Sequence, residues 1–79
     1  MTEIKADITL DTSGLNCPMP VLKAKKAIDA MGPGQVIEIT ATDPGSKTDI
    51  PALARRLGHE LLGTKEAGKT MHFYIRKKS

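Results

Sequence analysis

The chain has 79 residues, 39% of them hydrophobic, with one Phe, one Tyr, no Trp and a formal net charge of +3. Such a chain makes one small domain with an aliphatic core, and its charge permits an acidic partner without demanding one. A single Cys excludes an internal disulfide and a cysteine-based zinc cluster, and no apolar run reaches the about 18 residues that a transmembrane helix needs. Met1–Lys5 has no secretory hydrophobic region, so a cytoplasmic protein is expected.

Residues 1–7 are polar and expected to be loose. Ile8-Thr9-Leu10-Asp11 alternates apolar and polar, as a half-buried strand does, and Thr12-Ser13-Gly14 breaks it. The first helix is predicted from Pro18 to about Met31. Val21, Ala24, Ala27 or Ile28, and Met31 form its buried stripe, and Lys23, Lys25 and Lys26 lie mainly on the other faces. Gly32-Pro33-Gly34 should end it, with Gly in the left-handed cap. Gln35–Thr42 reads as a strand by its β-branched content and alternation, parallel to the first because a helix separates the two. Asp43–Ser46 is a loop. The second helix is predicted to start with Thr48 as N-cap, Asp49 near its positive end and Pro51 in its first turn. Ile50, Leu53, Ala54 and Leu57 are its apolar stripe, Arg55 and Arg56 point outward, and Gly58 closes it. A short third strand is expected near Glu60–Lys65, a turn at Ala67-Gly68-Lys69, and a strand over Thr70–Lys77 with Met71, Phe73 and Ile75 on one face. The last two strands should form an antiparallel hairpin. The predicted fold is α/β (α+β): a two-layer sandwich of order β-α-β-α-β-β. A four-stranded mixed sheet carries both helices on one face, in a single domain over residues 1–79.

The chemistry centres on Asn16-Cys17-Pro18-Met19-Pro20. Pro is tolerated in a first helical turn, where its missing N–H has no partner to lose, and the residue before a Pro avoids the α region. Cys17 is therefore expected as N-cap, with Pro18 at the first helical position and Pro20 in the first turn. The partial positive charge of a helix start favours thiolate, the nucleophilic form, and the prolines stiffen its presentation. The alternative is a buried, inert cysteine. A polar neighbour and a Pro turn favour the exposed mouth.

Gly14-Leu15-x-Cys17-Pro18-x-Pro20-Val21 resembles the signature of the TusA/SirA-like sulfur carrier proteins. Thr42-Asp43-Pro44-Gly45 with Asp49-Ile50-Pro51 resembles that family's second motif, and Gly58-His59-Glu60-Leu61 and Phe73-x-Ile75-Arg76-Lys77 also match its pattern. The likeness runs from about Leu10 to Lys77 and implies the same architecture. It implies a carrier acting as a sulfurtransferase: Cys17 takes sulfane sulfur from a cysteine desulfurase or rhodanese as a persulfide and passes it to acceptor proteins of a sulfur relay. The acceptors implied serve tRNA thiolation, molybdenum cofactor supply or dissimilatory sulfur oxidation. On this resemblance the sulfur is expected to be held covalently on Cys17, with no separate cofactor, and no membrane or direct nucleic-acid partner is expected. Many relatives carry a second cysteine where this chain has Ala54, and Met19 stands where tRNA-linked members commonly have an acidic residue.

Lys23, Lys25, Lys26, Arg55 and Arg56 are candidates for partner recognition, against the plainer reading of an ordinary solvated helix face. His59 and His72 lack a ligand partner at helical spacing, so no metal site is expected. There is no Cys-x-x-Cys and no Gly-rich phosphate loop. The rival functional reading is a small basic nucleic-acid-binding or regulatory module with a structural cysteine. The near absence of stacking aromatics weighs against it.

Overall fold

The computed structural model describes residues 5–16 and 18–78. Cys17, the expected N-cap, lies outside the described residues, as do residues 1–4 of the segment expected to be loose. The elements run β1 (Ile8–Thr12), α1 (Met19–Asp29), β2 (Val36–Ala41), α2 (Ser46–Leu57), β3 (Glu60–Ala67) and β4 (Thr70–Arg76). They form a four-stranded sheet of order β1-β2-β4-β3, with both helices on one face. β1 pairs parallel with β2, from Ile8 opposite Ile37 to Thr12 opposite Ala41. β4 lies antiparallel to both β2 and β3. The mixed two-layer sandwich read from the sequence is the fold observed.

The alternation in β2 and β4 builds the core. Ile37, Ile39 and Ala41 from β2 and Met71, Phe73 and Ile75 from β4 are buried on one side of the sheet. Across from them α1 buries Pro20, Ala24 and Ile28, and α2 buries Ile50, Leu53 and Ala54. Phe73 is the largest fully buried side chain; burying such a residue is worth about 2–3 kcal/mol. Ala54 is inside this core.

The helix boundaries differ from the sequence expectation for local reasons. Pro18 is the N-cap of α1, not its first helical residue; Met19 and Pro20 open the helix after a turn closed by the Met19 N–H on the Asn16 carbonyl. The C-terminus is not capped by Gly32. The Ala30 N–H is shared between the Lys26 and Ala27 carbonyls and Met31 bonds back to Ile28, so the last turn tightens while Ala30 stays right-handed. The left-handed residue is Gly34, at φ 87°. α2 starts at Ser46, not after Thr48. Ser46, Lys47 and Thr48 each bond three residues back, to Asp43, Pro44 and Gly45, and these tight turns run straight into the helix. Pro51 is consequently inside α2. Gly58 closes α2 at φ 78°, with its own N–H on Arg55 and the His59 N–H on Ala54, a Schellman arrangement.

β3 is longer than expected and carries a bulge between Leu61 and Gly63. It joins β4 through a two-residue turn, Gly68-Lys69, between the paired Ala67 and Thr70. Gly68 has φ 63°, as a tight hairpin turn of this hand requires. No helix among the described residues is long and apolar enough to cross a membrane.

Candidate functional site

The two parallel strands leave the sheet at the same end, and each leads into the N-terminus of a helix. The β1–α1 and β2–α2 loops are therefore neighbours, because Thr12 and Ala41 are paired at the strand ends. Hydrogen bonds tie them together. The buried Thr12 hydroxyl donates to the Thr40 carbonyl at 2.6 Å, and the Gly14 N–H donates to the Thr42 hydroxyl at 2.8 Å. Leu15 N–H bonds back to the Thr12 carbonyl, and Ser13 N–H to the Asp11 carboxylate at 2.9 Å. The bonds from Ser13, side chain first and then backbone, hold the Asp11 carboxyl below its ordinary pKa. The loop leading to Cys17 is thus anchored on the neighbouring strand.

Asn16 and Pro18, on either side of Cys17, are exposed, whereas Pro20 is buried under the first turn of α1. Pro20 holds the start of α1 against the core, and Pro18 lies at the surface. Neither Pro18 nor Gly45 caps its helix with a side chain. The two N-termini differ in charge. α2 has Asp49 in its first turn, and the Asp43 and Asp49 carboxylates both approach Gly45; a Cβ there would stand 3.1 Å from Asp43 Oδ2 and 3.7 Å from Asp49 Oδ2. α1 has no acidic residue in its first turn, so its positive end is not neutralised by a carboxylate of its own.

Met19 and Leu22 are 42% and 54% exposed on the first turns of α1. Sequence reasoning gave neither a role. Leu22 falls off the buried stripe of Val21, Ala24, Ile28 and Met31, a signal that periodicity does carry. On the other flank, a groove of about 540 Å³ lies between the β2–α2 loop, at Thr42 and Pro44, and the hairpin turn, at Gly68 and Lys69. Thr42 serves both features: it accepts the Gly14 N–H and lines the groove.

The basic candidates are all exposed. Lys25 pairs with Asp29 at 3.0 Å along α1. Lys23 and Lys26 line a groove beside β1. Arg55 and Arg56 are in the last turn of α2, where cations favour the helix C-terminus. The histidines lie elsewhere. His59 Nδ1 accepts the Lys78 N–H, and His72 Nδ1 is 3.0 Å from Glu38 and 3.2 Å from the Thr40 hydroxyl on the helix-free sheet face. Among the described residues no group of three or more His, Cys, Asp and Glu could hold a metal ion.

The family model described as Sulfurtransferase TusA matches residues 8–77. The chain belongs to that family. The TusA-family relatives are close in length as well as in sequence. The chain is 54% identical over 71 residues to the sulfur carrier protein TusA of Allochromatium vinosum, covering 90% of this chain and 93% of that one. It is 46% identical over 79 residues to the sulfur carrier protein TusA of Pseudomonas entomophila, covering 100% of this chain and 99% of that one. The crystal structure of a SirA-like protein from Desulfitobacterium hafniense superposes with a TM-score of 0.76 at 25% identity, covering 91% of this chain and 99% of that chain.

Proposed function

We propose that this protein is a sulfur carrier in which Cys17 receives sulfane sulfur from a donor protein and delivers it to an acceptor in a relay. The observation that carries the reading is the match of residues 8–77 to the TusA family in a chain whose only cysteine precedes α1. The first turn of α1 has no acidic residue, which supports it, since a thiolate at a positive helix end gains what a neutral thiol does not.

The transfer is an exchange between sulfurs. The Cys17 thiolate attacks the outer sulfur of a donor persulfide. The new S–S bond forms as the donor's bond breaks, the donor leaves as a thiolate, and the outer proton stays with the moving sulfur. The sulfur keeps its oxidation level, so no external oxidant or reductant enters. Delivery repeats the step with an acceptor thiolate attacking the outer sulfur on Cys17. The sulfur rides covalently on the protein, and no resident cofactor takes part. A cysteine desulfurase or a rhodanese suits the donor role. Acceptors in tRNA thiolation, molybdenum cofactor supply or sulfur oxidation, all cytoplasmic, suit the other. The exposed Met19 and Leu22 beside Cys17 offer apolar contact to such partners.

The test is the intact mass after incubation with a cysteine desulfurase, its pyridoxal phosphate and cysteine, and separately with a rhodanese and thiosulfate. Wild type should gain one sulfur from one of the donors and lose it on reduction, while Cys17→Ser gains none. Failure with both donors, with the thiol still open to alkylation, overturns the reading.

A further inference from the structure

The sheet has two edges, and they differ. β3 carries a bulge between Leu61 and Gly63 and the charged residues Glu60, Lys65 and Glu66, the usual means of blunting an edge. β1, Ile8–Thr12, shows no bulge in its pairing and contains no Pro; its single charge, Asp11, is exposed. It pairs with β2 on one side and, among the described residues, with no strand on the other. Beside it lies a groove of about 320 Å³, lined by Leu10 of β1 and by Lys23, Lys26, Ala27 and Ala30 of α1. The α1 residues fall at helical spacing on one flank. The two alanines open the groove, and the two lysines supply its charge. No carboxylate lines it among the described residues.

We propose that the β1 edge and this groove are a docking site for an extended acidic segment of a protein partner, which adds to the sheet as a fifth strand beside β1. Main-chain hydrogen bonds to β1 provide the register, alternate apolar side chains rest on Leu10, Ala27 and Ala30, and acidic side chains meet Lys23 and Lys26. A second copy of this chain fits less well, because pairing two β1 edges would bring two sets of Lys23 and Lys26 together. A nucleic acid would satisfy the lysines but leave the strand edge unpaired. That the partner belongs to a sulfur relay rests on the carrier reading; the docking itself does not need Cys17.

The probe is a ten-residue capped peptide of alternating Glu and Val, added to ¹⁵N-labelled Cys17→Ser protein and followed by amide shifts and hydrogen exchange. A failure here leaves the sulfur-loading result untouched, so the two readings fall separately. Saturable shifts over residues 8–12 and 23–30, with slowed exchange in β1, are expected. Lys23→Glu with Lys26→Glu should weaken binding about tenfold, as added salt should in the same direction. Ala30→Glu, at an exposed site, should also weaken it without unfolding the chain. The proposal is overturned by the absence of shifts in β1 at about 1 mM peptide. Shifts confined to the hairpin groove, concentration-dependent shifts in β1 without peptide, or a thymidine oligonucleotide reproducing the β1 shifts would also overturn it.

Discussion

The two ends of the helical layer are built in opposite ways. At the far end the C-terminal carbonyls of α1 are satisfied internally: Lys77 Nζ donates to the Met31 carbonyl at 2.8 Å and to the Asp29 carbonyl at 3.3 Å. Lys77 is itself held by backbone bonds to Gly34 and Gln35, and α2 closes on Gly58. At the near end both helices begin without a side-chain cap from their N-cap residue, and only α2 carries its own carboxylate. The helix start without an acidic first turn, that of α1, follows the single thiol in the sequence. A helix start without a side-chain cap costs roughly 1 kcal/mol.

The largest expected effect breaks the layer as a whole. Ile39→Ala, in the middle of the buried face of β2, should cost about 2–5 kcal/mol and leave a domain of this size barely folded, as urea denaturation would show. At the near end, Thr42→Val removes the acceptor for the Gly14 N–H. Sulfur loading should slow several-fold while stability falls by no more than about 1 kcal/mol. At the far end, Lys77→Met should cost about 1 kcal/mol by uncapping α1, with loading unchanged. An effect of Lys77→Met on loading would erase the distinction between the ends.

Smaller effects sharpen it. Ser46, the first residue of α2, has a buried hydroxyl with no hydrogen-bond partner among the described residues. Ser46→Ala should be neutral or stabilise by up to about 1 kcal/mol, and slower loading in that variant would bring the hydroxyl into the site. On the helix-free face, Tyr74 donates to Glu38 at 3.2 Å; desolvation and then the Glu38 charge raise its pKa above the ordinary phenol value. The folded state therefore holds that proton more tightly than the unfolded state. The stability this contributes is present below the unfolded phenol pKa and is lost as pH rises through the folded one. Spectrophotometric titration of the only tyrosine should show a raised midpoint that falls in Glu38→Gln.

Much of this was legible in the residues. Alternation in Val36–Ala41 and Thr70–Arg76 and the stripe of Val21, Ala24, Ile28 and Met31 specify which faces are buried, and the order of elements specifies the parallel pair. Boundaries were less legible, because they depend on backbone bonds that composition does not reveal. The turns through Asp43-Pro44-Gly45 make Thr48 helical despite its suitability as a cap, and the sharing of the Ala30 N–H ends α1 before Gly32. The thiol, its prolines and the family likeness stand in the sequence. The Gly14–Thr42 anchor, the Lys77 cap and the different characters of the two sheet edges join residues distant along the chain and needed the fold.

The most direct test of the central claim is the pH dependence of Cys17 alkylation in the folded protein. If the positive end of α1 stabilises the thiolate, the rate should rise with a midpoint below the roughly 8.5 of a free cysteine, and move toward it in urea. A midpoint at or above that value in the folded protein would contradict an activated thiol at this helix start.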